Sequence, residues 1–166
     1  MIAAHGIRLA VPRGWDARIE QKRDDPVLAP PAARLDGEQI PRGGTVNPVV
    51  HLANYPLPSL RGDYGSGAVE RMGGRGVFIA LVEFDPEAAV TPAFARAGLP
   101  RIRLVDVHAE AQQQLVQGHC GAQWFFHTEG RAFSLFVVLG SWVMRRSLIA
   151  TANTALGGVS IGPRPG

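Results

Sequence analysis

Two runs of aromatic and β-branched residues, Gln123 to Thr128 and Ala132 to Leu139, constrain this chain more than any other feature. Glu129, Gly130 and Arg131 stand between them as a tight turn, so the pair predicts an antiparallel hairpin with strongly strand-forming arms. Ser141 then offers a cap for a helix in which Met144, Leu148, Ala152 and Ala155 share a stripe flanked by Ile149 and Leu156. Arg145 and Arg146 are expected to face water. Gly157 and Gly158 stop that helix and leave Val159 to Ile161 for a last short strand.

The opening has the same alternation. Ile7, Leu9 and Val11 interleave with Arg8 and Ala10; Pro12, Arg13 and Gly14 turn the chain; Trp15, Ala17, Ile19 and Gln21 alternate again. This pattern predicts a hairpin with one apolar face. Between Lys22 and Gly44 the periodicity disappears, and Pro26, Pro30, Pro31, Pro41, Gly43 and Gly44 interrupt any regular element, so a long mobile excursion is expected there. Val46 to Leu52 suggests a strand near residues 45–54, with Pro48 implying an edge or a bulge. Ser66 is placed to cap a short helix through Ala68 and Met72, ended by Gly73, Gly74 and Gly76. The continuously apolar Val77 to Phe84, broken only at Glu83, suits a strand buried on both faces at the centre of a sheet. Asp85 to Glu87 reads as a turn or helix start limited by Pro92, Leu99 to Leu104 as irregular, and Asp106 through Val116 as a helix capped by Asp106.

These elements make one domain spanning 1–166, of α+β class, with an antiparallel β-sheet flanked by helices. Gly6-Ile7-Arg8-Leu9-Ala10-Val11-Pro12-Arg13-Gly14-Trp15, together with the Gly130-Arg131 turn, the strand Phe133 to Leu139 and the helix Ser141 to Leu156, resembles the PsbP-like fold family. That family includes photosystem extrinsic subunits, Ran-binding nuclear transport factors and actinobacterial lipoproteins. The resemblance implies an α/β/α sandwich and work done by binding partners; the lipid-attachment cysteine of the lipoprotein members has no counterpart here.

Charge excludes little. Seventeen cations stand against 14 acids, for a net +3, and Lys22 is the sole lysine. Arg8, Arg13, Arg18, Lys22 and Arg23 are interleaved with Asp16, Glu20, Asp24 and Asp25, whereas nucleic-acid binding needs clustered cations. The acid-free stretch Arg96, Arg101 and Arg103 reads as a solvated loop, so no nucleic-acid partner is expected. Met1 to Gly6 carries no basic leader before an apolar run, and no apolar stretch approaches the roughly 20 residues a membrane-spanning helix needs. Cys120 is the only cysteine, which excludes an internal disulfide and fits a reducing compartment. The expectation is a cytoplasmic protein without a membrane partner.

Several constellations invite a chemical reading. Gln117-Gly118-His119-Cys120-Gly121-Ala122-Gln123-Trp124 resembles the papain-type signature, but Gln123 occupies the nucleophile's position, and the chain ends before the required His and Asn can follow. Cys120 acting alone, with His119 lowering its pKa, would need a partly exposed, electropositive setting. His5, His51, His108, His119 and His127 include no pair at zinc-ligand spacing, so neither metal nor cofactor is expected. Gly62-Asp63-Tyr64-Gly65-Ser66-Gly67 before a short helix offers backbone amides for an anion, with Arg61, Arg71 and Arg75 as the nearest cations. The candidate binding residues are therefore Arg61, Tyr64, Ser66, Arg71, Arg75, His119, Cys120 and His127; no catalytic residue is assigned.

Two functions remain. One is a non-catalytic protein-binding or assembly module, with Trp15, Tyr55 and Tyr64 near loop ends as interface rings, and with self-association favoured by a Pro48 edge strand and apolar Leu57 and Leu60. The other is a small-molecule-binding protein or small enzyme using a cleft between the sheet and the 22–44 loop, near Cys120, His119 and His127.

Overall fold

The structure, a computed structural model, describes residues 1–21, 34–35, 38–39, 47–112 and 116–166. Its strands are β1 (Ile2–Ala4), β2 (Ile7–Leu9), β3 (Asp16–Gln21), β4 (Arg34–Leu35), β5 (Glu38–Gln39), β6 (Pro48–Ala53), β7 (Val77–Phe84), β8 (Cys120–Thr128), β9 (Arg131–Leu139) and β10 (Val159–Ile161); the helix α1 is Arg145–Leu156. A five-stranded sheet runs in the order β3-β6-β7-β9-β8, a three-stranded sheet in the order β1-β2-β10, and β4 pairs with β5; every pairing is antiparallel.

The hairpin forms as its residues require. Cys120 to Thr128 pairs residue for residue with Leu139 to Arg131. Glu129 and Gly130 at its tip have φ of +52° and +69°, the left-handed pair that matches a two-residue turn to the strand twist. Strand β7 lies at the centre, between β6 and β9, and both faces of β7 and β9 are covered, which is why their sequences are continuously apolar.

One face of the large sheet holds the main core. Val50, Leu52, Ile79, Leu81, Ala122, Phe126, Phe133, Leu135 and Val137 pack with Ile7 and Leu9 of β2 and with Leu148, Ile149, Ala152, Ala155 and Leu156 of α1. Each large aliphatic side chain buried there contributes about 1.5–3 kcal/mol by leaving water. The opposite face, with Ala53, Phe78, Ala80, Phe136 and Val138, is roofed by Leu57, Ala68, Val69, Met72, Tyr55 and Tyr64 from the 54–76 connection.

This is a mostly β architecture, not the α+β sheet flanked by helices, nor the α/β/α sandwich implied by the PsbP-like resemblance. Among the described residues α1 is the only α-helix. Among the described residues of the expected helix from Asp106 to Val116 no α-helix forms, because Asp106 closes a turn: Leu104–Asp106 is a single 3-10 turn, and the Asp106 carboxylate accepts the Arg103 backbone N–H. The turn at Val69–Arg71 is likewise 3-10 and lacks a side-chain cap, so Ser66 does not cap it. Pro86–Val90 and Pro92–Phe94 are further 3-10 turns, as the prolines allow.

Three pairings also depart from expectation. The two halves of the opening pattern do not form a hairpin: β2 joins β1 and β10, while β3 joins β6. Strand β6 is interior, not an edge; Pro48 is its first residue, a position a proline tolerates. Met144 precedes α1 and is 37% exposed, outside the buried stripe. The expected 22–44 excursion lies outside the described residues apart from β4 and β5.

Candidate functional site

The glycine-rich loop between β6 and β7 turns its hydrogen-bonding groups inward. Gly62 N–H donates to Ser66 O, Gly65 N–H to Gly62 O, and Ala68 and Val69 N–H both to Gly65 O, so these four amides are spent within the loop. Gly65 adopts φ +89°, and a Cβ there would lie 2.5 Å from the Phe78 ring, so close packing over β7 requires glycine. Arg61 is buried: its Nε donates to His51 Nδ1 at 2.9 Å, its Nη1 to Pro58 O at 2.7 Å, and Nη2 lies 3.0 Å from Glu20 Oε2. Because the guanidinium only donates, His51 Nδ1 accepts, and the His51 Nε2–H donates to Asp63 O at 2.8 Å. Arg61 and His51 thus fasten the loop to the sheet. Arg71 and Arg75 are exposed and Ser66 is half-buried, whereas the Arg61 guanidinium is buried and engaged with His51, Pro58 and Glu20.

Tyr64 meets Phe136 edge-on, and the Ser134 hydroxyl accepts from Gln123 Nε2 at 3.0 Å. Burial pushes the Tyr64 phenol up to about 12, against the pull of Ser134, so it stays protonated at neutral pH. Tyr55 donates to Ala68 O at 3.1 Å. Trp15 is half-buried against the main core. These rings pack the fold rather than stand free as interface anchors.

The cleft expected between the sheet and the 22–44 loop lies largely outside the described residues, and the three residues expected near it, Cys120, His119 and His127, are separated. Cys120 is fully buried in the main core, its Sγ 3.8 Å from Ser141 O, and burial pushes its thiol up against the weaker pull of Arg145. His119 is adjacent along the chain and points to the other face. It is 7% exposed, burial lowers its pKa against a contact with the Met72 backbone, and its Nδ1 has no hydrogen-bond partner. His127 stands eight residues along, roughly 25 Å at strand rise, with Nδ1 2.6 Å from Phe94 O. Among the described residues no cluster of three His, Cys, Asp or Glu could hold a metal, and no helix is long and apolar enough to cross a membrane.

The clearest exposed feature lies at the start of α1. Trp142, Val143 and Met144 are 40%, 87% and 37% exposed. The Trp142 N–H is anchored to Gly118 O at 2.8 Å, and the Ser141 hydroxyl accepts Met144 N–H at 3.2 Å, so the segment is held in place at both ends. Arg145 stacks its guanidinium 3.9 Å over the Trp142 ring and donates to Trp142 O at 2.7 Å. Arg146 is exposed beside it. The sequence signal for this platform is Trp-Val-Met followed by Arg-Arg in a stretch, 130–166, that contains neither Asp nor Glu. That stretch is a longer acid-free segment than the one carrying Arg96, Arg101 and Arg103. Leu60, at 78%, is exposed elsewhere, while Leu57 is buried.

No protein-family model, curated protein or solved structure matches this chain.

Proposed function

We propose that the protein is a non-catalytic binding module whose contact surface is Trp142, Val143 and Met144. The observation that carries this reading is an apolar run displayed at the surface by a fixed backbone, with an arginine stacked on its tryptophan. Scattered apolar side chains on a surface are ordinary, but an exposed tryptophan and methionine within two residues of each other, with arginine beside them, are the residue types enriched at interfaces. The small-enzyme alternative gains no support: Cys120, His119 and His127 neither converge nor open to solvent together. A lone buried thiol suits a reducing compartment, so a cytoplasmic site of action is part of the proposal.

The test replaces Val143 by a photo-crosslinking amino acid, in cells that make the protein, with Thr151 on the exposed side of α1 as the control position. A discrete adduct formed at 143 and not at 151 supports the reading, and its mass tells self-association from a different partner. Equal or absent crosslinking at the two positions would overturn it.

A further inference from the structure

We propose that the Trp142–Met144 platform binds an acidic segment of a partner protein that also carries apolar side chains. This rests on the protein-binding reading above and adds the chemistry of the partner.

The inference starts from where the local charges go. Four arginines lie in the acid-free stretch 130–166. Arg131 and Arg164 are both engaged with Glu83. Arg145 and Arg146 are left at the platform, and among the described residues no carboxylate pairs with either. They occupy the first turn of α1, which has no acidic residue, so their charge adds to the positive end of the helix dipole instead of being offset by it. Two like charges there cost the free protein stability. A carboxylate supplied from outside relieves that cost, which gives binding a gain beyond the pair itself.

The shape of the cations narrows the partner further. Stacking on Trp142 and the bond to its carbonyl hold the Arg145 guanidinium in one plane, so its remaining N–H groups are presented as a preset fork. A planar fork matches a carboxylate with two parallel hydrogen bonds. Val143 and Met144 beside it offer apolar surface for the partner's apolar residues. An anionic membrane would also attract a tryptophan flanked by arginines. Each cation near such a surface contributes only about 1 kcal/mol, and two of them with three apolar residues fall short of the polybasic cluster that membrane anchoring takes. An acidic protein segment is therefore the occupant the observations favour.

The experiment selects peptides from a random display library on the intact protein and then measures selected peptides against Val143→Glu and Arg146→Glu. Both positions are exposed, and unfolding midpoints no lower than that of the wild type confirm that each variant folds; Arg146→Glu should raise its midpoint by relieving the charge at the start of α1. The expected result is enrichment of peptides with net negative charge and apolar residues, bound about tenfold more weakly by either variant and more weakly at raised salt. Peptides that need Val143 yet carry no excess acid and ignore Arg146→Glu would overturn the partner chemistry while the binding-module reading stands. Peptides that bind Val143→Glu as well as the wild type would overturn both. Both also fall if no peptide is enriched, whether or not phosphatidylserine vesicles bind the wild type in a Val143-dependent way.

Discussion

Arg131 grips Glu83 through two parallel hydrogen bonds, Nε to Oε1 at 3.0 Å and Nη2 to Oε2 at 2.7 Å, with side chains only 3% and 1% exposed. Arg131 Nη1 also donates to Gly162 O at 2.8 Å, and Arg164 brings a second guanidinium to within 3.2 Å of Glu83 Oε1. Arg164 also donates to Asn47 Oδ1, whose own amide nitrogen donates to Asp85 Oδ1 at 2.8 Å. One buried carboxylate thus ties the residues after β10 to the end of the large sheet.

Breaking that clasp has a sharp cost. Removing one partner of a buried pair strands the other charge away from water, so Glu83→Gln should destabilise the fold by about 3–5 kcal/mol in urea unfolding. Arg164 is 39% exposed, and Arg164→Ala should cost under about 1 kcal/mol. Equal effects of the two substitutions would show that the burial of Arg131 and Glu83 is not what matters.

Gly140 is required by a close approach of two segments. Its N–H donates to Gly76 O at 2.9 Å, and a Cβ there would sit 2.0 Å from Gly73 O. Gly140→Ala should therefore lower stability by about 2 kcal/mol, because backbone rather than a movable side chain must give way. Gly118→Ala at a left-handed, sterically open position serves as comparison in the same thermal scan, separating contact from conformational strain.

His119 gives the protein a defined pH dependence. Burial holds its pKa in the fold below the ordinary 6.5. The unfolded chain therefore takes up the proton first, so the stability associated with neutral His119 is fully present above pH 6.5 and is lost as pH falls through the lower folded value. His119→Leu removes both that proton and the unpartnered buried Nδ1. Its unfolding free energy should fall less steeply than that of the wild type below pH 6.5. Parallel profiles for the two proteins would count against this assignment.

Cys120 should behave as an inert thiol. Complete burial and a raised pKa leave little thiolate at the surface at neutral pH. A thiol-disulfide reagent should label it slowly in the native protein and at the rate of a free thiol in denaturant. Fast native labelling would revive a reactive-cysteine role.

The sequence discloses elements more readily than their partners. The apolar run of β7, the arms of β8 and β9, and the stripe of α1 are legible because each alternation or run reflects how many of its faces are covered. Which strands pair is not written in periodicity: Ile7 to Gln21 shows the alternation of a hairpin, yet its halves join different sheets. Asp106 misleads because the side chain that would start a helix also closes a short turn onto Arg103. Glu83 and Arg131 stand near strand ends in the sequence, and only the pairing of β7 with β9, which sets Glu83 opposite Phe133 and so diagonal to Arg131, turns them into a buried pair. The platform at Trp142 is hidden for a related reason. Met144 continues the spacing of the buried stripe, but α1 begins one residue too late to carry it inward.

The order β1-β2-β10 bears on how the molecule is made as well as on how it stands. Ile7 and Leu9 are wholly buried, but β10, which closes one side of their strand, is separated from them by about 150 residues of sequence. A ribosome delivers residues at roughly 5–20 per second, so β2 spends on the order of ten seconds waiting for its last neighbour. During that interval an apolar strand edge is open to wrong pairings. Chaperone dependence during synthesis should therefore exceed what refolding of the finished chain requires.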